Sequence, residues 1–237
     1  MTKERLVRFE DIGNRDYKET WDYQEDIFNR LLKNKSLQGK EAFSEASVNR
    51  LIFVEHPHVY TLGKSGSEDN LLLNYIQLKA KDASFHKIDR GGDITYHGPG
   101  QIVGYPIFDL DIFNVKLKEY IYYLEEAIIL TLKEFGLKSD RLAGATGVWL
   151  DNHPGGRTRK ICAIGVKASR YVTMHGFAFN VNTCLEYFDH INPCGYTDKG
   201  VTSLEKEMGE KQDMEKVKSI LREKLQKVFG IKWVNHV

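Results

Sequence analysis

The sequence predicts an α+β protein built on a mixed sheet. Two observations carry that prediction. β-rich runs and helical runs intermix along the chain, without the strict strand–helix alternation that a doubly wound parallel sheet requires. No Pro- or Ser-rich linker divides the 237 residues and no repeat is visible, so a single domain over 1–237 is expected. The apolar fraction of 41% supplies a sizeable core without metals or disulfides.

The elements follow in order. Residues 16–33 read as a helix, with Asp16 as its cap and Trp21, Ile27, Leu31 and Leu32 on the apolar face. Residues 51–55 form a short apolar run that enters a turn at His56-Pro57, as a strand does. Residues 64–70 are a polar loop, and 85–89 a further strand. Residues 102–110 are β-rich but contain Pro106, which predicts an edge strand or a strand with a break. Residues 116–135 carry helical spacing through Tyr120, Leu124, Ile128 and Phe135 and stop at Gly136. Strands are expected over 146–150, 161–167 and 177–181, with a turn or longer loop between the first two. An amphipathic helix over 214–228 ends before Gly230.

Composition excludes several classes. A formal net charge of +1 gives no basic excess of the kind nucleic-acid binders carry. The three cysteines, Cys162, Cys184 and Cys194, are odd in number and lack CxxC spacing, which argues against a disulfide framework or structural zinc and for a reducing compartment. The charged N-terminus has no apolar signal core, and no apolar run is long enough to span a bilayer. A soluble cytoplasmic protein is expected.

Three segments carry candidate chemistry. R-G-G-D-I-T-Y-H-G-P-G-Q at 90–101 crowds glycines among polar groups. It is either a tight turn between strands or a loop that a ligand approaches closely. Its spacing matches neither the dinucleotide fingerprint nor the P-loop. I-N-P-C-G-Y at 191–196 places Cys194 on a restrained turn. Cys194 is either a small loop residue or a nucleophile, and a nucleophile needs a nearby cation or base because a free thiol has a pKa of about 8.5. R-K-I-C-A-I-G-V-K at 159–167 sets Lys160 at the mouth of an apolar strand, either solvated or partly desolvated. Cys162 within it reads as a small buried hydrophobe, but also as a rival thiol on the face of Lys160. His56, His58 and His175 show no ligand-pair spacing, so no metal is expected.

Together with D-Y-K-E-T-W-D-Y-Q at 16–24, E-H-P-H-V-Y-T-L-G at 55–63, G-V-W at 147–149, H-G-F-A-F-N-V at 175–181 and T-S-L at 202–204, these segments resemble the lipoyl(octanoyl) transferase family. The resemblance runs in order over most of the chain. It implies the fold of biotin and lipoyl protein ligases: a mixed sheet flanked by helices, with a smaller second sheet. It implies a Cys/Lys pair, with the acyl-thioester cysteine at Cys194 and the lysine that tunes it at Lys160. Acyl-substrate contacts are implied at Arg90, Gly91, Gly92, Asp93, Ile94, Thr95, Tyr96 and His97, at Ala163, Ile164 and Gly165, and at Gly176, Phe177 and Ala178.

The implied activity is transfer of an octanoyl group from octanoyl-acyl carrier protein to a lysine of a lipoyl domain, in 2-oxoacid dehydrogenases and glycine cleavage H protein. It needs no cofactor, nucleic acid or membrane, and a monomer suffices. The alternatives are an ATP-dependent lipoate-protein ligase and a non-catalytic module that binds acyl-carrier or lipoyl domains. The 150–159 loop is longer than in many relatives. Arg157, Arg159 and Lys167 are an expected docking surface for acidic carrier domains.

Overall fold

The computed structural model describes residues 4–36, 48–153, 155–192 and 199–234. Among these, one mixed sheet of nine strands dominates. Its strands are β1 (Leu6–Asn14), β2 (Asn49–Glu55), β6 (Gln101–Ile107), β7 (Ser139–Leu142), β8 (Ala145–Leu150), β9 (Arg159–Ser169), β10 (Val172–Asn180), β11 (Gly200–Val201) and β12 (Lys232–Trp233). They run in the order β12-β1-β2-β6-β10-β9-β8-β7, and β11 pairs with β9. A second sheet of three strands, β4-β3-β5, joins β3 (Val59–Leu62), β4 (Ser84–Lys87) and β5 (Ile94–His97). The α+β class and the smaller second sheet are both as expected.

The large sheet is covered on both faces. Helices α4 (Leu117–Glu134) and α6 (Met214–Phe229) pack on one face, and α1 (Tyr17–Ser36) on the other. Strand β2 shows why its run is continuously apolar: Leu51 and Phe53 enter the core beneath α4 and α6, while Ile52 and Val54 enter the core beneath α1. Alternate side chains leave a strand on opposite faces, so a strand buried on both must be apolar throughout. Helix α1 starts where its cap predicts, with Asp16 Oδ1 accepting from the amides of Lys18 at 2.8 Å and Glu19 at 3.1 Å. Helix α6 buries Val217, Leu221, Leu225 and Phe229 at helical spacing and stops at Gly230.

Strand β1 was not legible. Its sequence LVRFEDIGN mixes charge into an alternating pattern. The charges are accommodated by partners from elsewhere in the chain, such as Arg50 on Glu10 at 3.1 Å.

Pro106 needs a correction. Its strand, β6, is central, between β2 and β10, and runs unbroken from Gln101 to Ile107 with Pro106 opposite Leu51 of β2, so neither an edge strand nor a broken strand is found; what is interrupted is its ladder to β10. The β6–β10 pairing stops at Phe177 opposite Gly104, and His175 next to it takes a left-handed φ of 59°. A residue's N–H and C=O leave a strand on the same side. The Pro106 carbonyl accepts from Thr173 Oγ1 at 3.0 Å and Tyr120 Oη at 3.1 Å, so the missing N–H falls where the ladder is already open. Thr173 Oγ1 also accepts from the Phe108 amide at 3.1 Å. Thr173→Val should therefore cost about 1–3 kcal/mol by stranding buried polar groups, read as a lower urea midpoint at unchanged m-value; an unchanged midpoint would refute this account of the break.

Candidate active site

A cavity of about 510 Å³ opens along one side of β9. Its existence follows from how β9 is paired. β10 covers one edge from Cys162 to Ser169, but β8 covers the other only from Arg159 to Cys162. Beyond Cys162 that edge receives the glycine-rich segment instead, with the Gly91 amide donating to the Val166 carbonyl at 2.9 Å. Glycine is required at this approach: a Cβ on Gly165 would lie 2.8 Å from the Gly91 carbonyl oxygen. Since Val166 faces the open edge, Ile164 does too, while Gly165 turns its N–H and C=O towards β10.

The cavity gathers nearly every expected site residue. Arg90, Gly91, Gly92, Asp93, Ile94, Thr95 and His97 line it, as do Lys160, Ala163, Ile164, Gly165, Gly176, Phe177 and Ala178. Tyr96 does not. On β5 it alternates with Thr95 and His97, and it is buried in the second sheet's core, where its hydroxyl meets His58 Nδ1 at 2.7 Å. Cys194 lies outside the described residues. The described residues on either side of it in the chain that line the cavity are Ile191 and Lys199. The approach to it is fixed, because Leu71 bridges Ile191 and the Asn192 amide donates to the Asn70 carbonyl at 2.9 Å.

Two ionic side chains of the glycine-rich segment hold its own fold. Arg90 Nη2 donates to the Thr61 carbonyl at 2.7 Å and to Thr61 Oγ1 at 3.1 Å. Asp93 accepts from the Ile94 amide at 2.6 Å and from Asn70 Nδ2 at 2.8 Å. What the segment presents to the cavity is therefore largely backbone and small side chains.

Lys160 begins the apolar stretch of β9. Its Nζ stands 4.5 Å over the centroid of the buried Trp149 ring, a cation–π contact. Neighbouring Arg159 is held by Glu207, at 2.5 Å, and by Asp151. Lys167 is held by Asp89. Arg159 and Lys167 thus belong to ion pairs of this chain. Cys162 is the small buried hydrophobe that its apolar run predicts: it is fully buried among core residues and does not line the cavity. Burial pushes its thiol far above the usual range, the Lys160 charge only partly opposing.

A model of the lipoyl protein ligase A/B catalytic domain matches residues 16–226. The octanoyltransferase of Christiangramia forsetii is 57% identical over 231 residues, covering 97% of each chain. That of Flavobacterium johnsoniae is 57% identical over 227 residues, 95% of this chain and 97% of its own. This chain belongs to the lipoyl protein ligase A/B catalytic domain family. In fold it is similar to an archaeal lipoate protein ligase from Thermoplasma acidophilum, at a TM-score of 0.67 and 14% identity, covering 100% of this chain and 87% of that one.

Two adjoining buried histidines, His97 in the cavity wall and His56 beside it, have both ring nitrogens facing partners of this chain. His97 Nδ1 faces Gln101 Oε1 at 2.8 Å, and burial pushes its pKa down to about 3. His56 Nδ1 donates to the Arg15 carbonyl at 2.7 Å and Nε2 accepts from Tyr105 Oη at 2.8 Å, with burial pushing its pKa to about 4. Among the described residues no cluster of His, Cys, Asp and Glu could hold a metal ion, and no helix is long and apolar enough to cross a membrane. Gln101, Asn180, Trp149 and Lys199 also line the cavity, though sequence reasoning assigned them no role. Strand alternation applied to 101–107 and 172–180 is the signal that finds the first two.

The buried histidines set an acid limit. Their folded pKa values lie below the unfolded value of about 6.5, so the unfolded chain binds the extra protons. Stability is complete above that value and lost as pH falls from about 6.5 towards about 4. His56→Gln should flatten this limb in thermal melts; a limb equally steep in the variant would refute the assignment.

Proposed function

We propose that this chain transfers an octanoyl group from an acyl carrier protein thioester to a lipoyl-domain lysine, through a thioester on Cys194. One observation carries the reading. Lys160 and both described flanks of Cys194, Ile191 and Lys199, converge on one cavity whose wall includes Ala163, Ala178 and Val103. That is a cation beside a greasy slot. The octanoyltransferase relatives and the family membership support the same activity. Acceptors of this class are the lipoyl domains of 2-oxoacid dehydrogenases and the glycine cleavage H protein, met in the cytoplasm by a monomer.

The steps balance without ATP. The Cys194 thiolate attacks the acyl carbonyl, and the carrier's thiolate leaves and takes a proton from the Lys160 ammonium, which becomes the neutral amine. The acceptor amine then attacks acyl-Cys194, thiolate leaves, and the proton of the ammonium passes to Lys160. The Ile164 N–H, facing the open edge of β9, is our candidate donor to the oxyanion; Gly165 is the weaker choice, because its N–H turns to β10. His97 shapes the wall and is not the base. The glycine-rich segment, Ala163 to Gly165, and Gly176 to Ala178 form the acyl contacts, with Tyr96 behind them as support.

Intact-mass analysis after mixing with octanoyl carrier protein tests this. The octanoyl adduct should form without ATP, survive Cys162→Ala and vanish in Cys194→Ala. Lys160→Ala should slow transfer by roughly a hundredfold or more. Adduct on the Cys194→Ala protein, or strict ATP dependence, would overturn the proposal, the latter in favour of a ligase.

A further inference from the structure

A buried hydrogen-bond chain joins the glycine-rich segment to the strand of Lys160, and its direction is fixed at each link. At one end the Thr202 carbonyl accepts from Asn180 Nδ2 at 3.0 Å. Asn180 Oδ1 must then accept from Gln101 Nε2, at 2.9 Å. Gln101 Oε1 is left to accept the Nδ1 proton of His97, at 2.8 Å. His97 Nε2 is left as an acceptor facing Thr61 Oγ1 at 3.5 Å, and Thr61 Oγ1 accepts from Arg90 at 3.1 Å. All five side chains are buried. Beyond Thr202 the chain reaches the site: its amide donates to the Lys160 carbonyl at 2.9 Å, and Val201 pairs with Lys160 in register.

We propose that Asn180 is a positioning residue for Lys160. It clamps β11 against the start of β9, so the backbone carrying the amine is located by the same network that holds the glycine-rich wall. Asn180 reaches across from β10, where the β10–β9 pairing has ended at Cys162. Its amide spans the gap between β6 and the 200–203 segment: one acceptor towards Gln101, one donor towards Thr202. A carboxylate of the same shape keeps the acceptor and loses the donor. A protonated carboxyl regains it. The role in transfer rests on the Lys160 assignment proposed above; the clamp itself does not.

The test is Asn180→Asp, with turnover and hydrogen exchange followed from pH 5.5 to 8. At the alkaline end, where the carboxyl is ionised, kcat should fall on the order of tenfold, the worth of one buried hydrogen bond, with KM for octanoyl carrier protein unchanged. Burial raises a carboxyl pKa, so activity relative to the parent should recover as pH falls. Amide exchange over 199–203 should be faster than in the parent at the alkaline end and revert at the acid end. Other charged groups around the chain are Arg90, Arg159, Glu207, Lys160, Lys199, His97 and His56. They are common to both proteins and divide out of the ratio. Gln101→Glu carries the same test one link away, should Asn180→Asp not fold. A ratio flat with pH, or a change confined to KM, would overturn the proposal. Exchange that follows the prediction in a protein forming no Cys194 adduct would keep the clamp and reject the proposed reaction.

Discussion

The one-sided pairing of β9 is the constraint on which the rest of the molecule depends. A strand with both edges filled cannot border a cavity at its own backbone. β8 releases β9 after Cys162, and the bond from Gly91 to Val166 closes the opened edge farther along. Between those points the strand is at once a member of the core sheet and a wall of the site. Both requirements shape its sequence. Ile161 and Cys162 serve the core, Ala163 and Gly165 leave room, and Lys160 lies on the stretch still paired with β8, just before that release.

This dual duty explains what could be read from the chain. The helices were legible because their signals are local: a cap at Asp16, apolar spacing through Leu124 and Ile128, a stop at Gly230. The glycine-rich segment was legible because close approach of backbone to backbone leaves few residues that fit. Strand β1 was hidden because Arg50 and Glu10 satisfy each other only once β1 and β2 are side by side. Tyr96 stands apart from the cavity lining because a strand divides consecutive residues of a motif between two faces. Gln101 and Asn180 belong to recognisable motifs, but their work is a bond across strands far apart in sequence, which no single segment displays.

Pro106 illustrates the same limit. A proline in a central strand removes a ladder donor, which favours an edge position on local grounds. Here His175, at left-handed φ, opens the ladder on the side where the donor is missing, and the hydroxyls of Thr173 and Tyr120 satisfy the exposed carbonyl. The break also ends the pairing of β10 with β6 beside Gly176 and Phe177, two residues of the cavity wall, while β10 stays paired with β9. A local defect in the sheet and the shape of the site therefore share one cause.

The electrostatics of that wall bear on which group can carry the proton of the proposed amide-forming step. The incoming lysine releases a proton from a group whose reference pKa is about 10.4. His97 and His56 are pushed to about 3 and about 4 by burial, and the His97 hydrogen bonds are committed to Gln101 and Thr61. Transfer to either would run uphill by six units or more, about 9 kcal/mol. His58, His86 and His175 are shifted in the same direction, each chiefly by burial. Among the described residues of the wall, an amine is the kind of base that matches the donor, and Lys160 is the amine that the strand, the Trp149 ring and the Thr202 clamp hold in place.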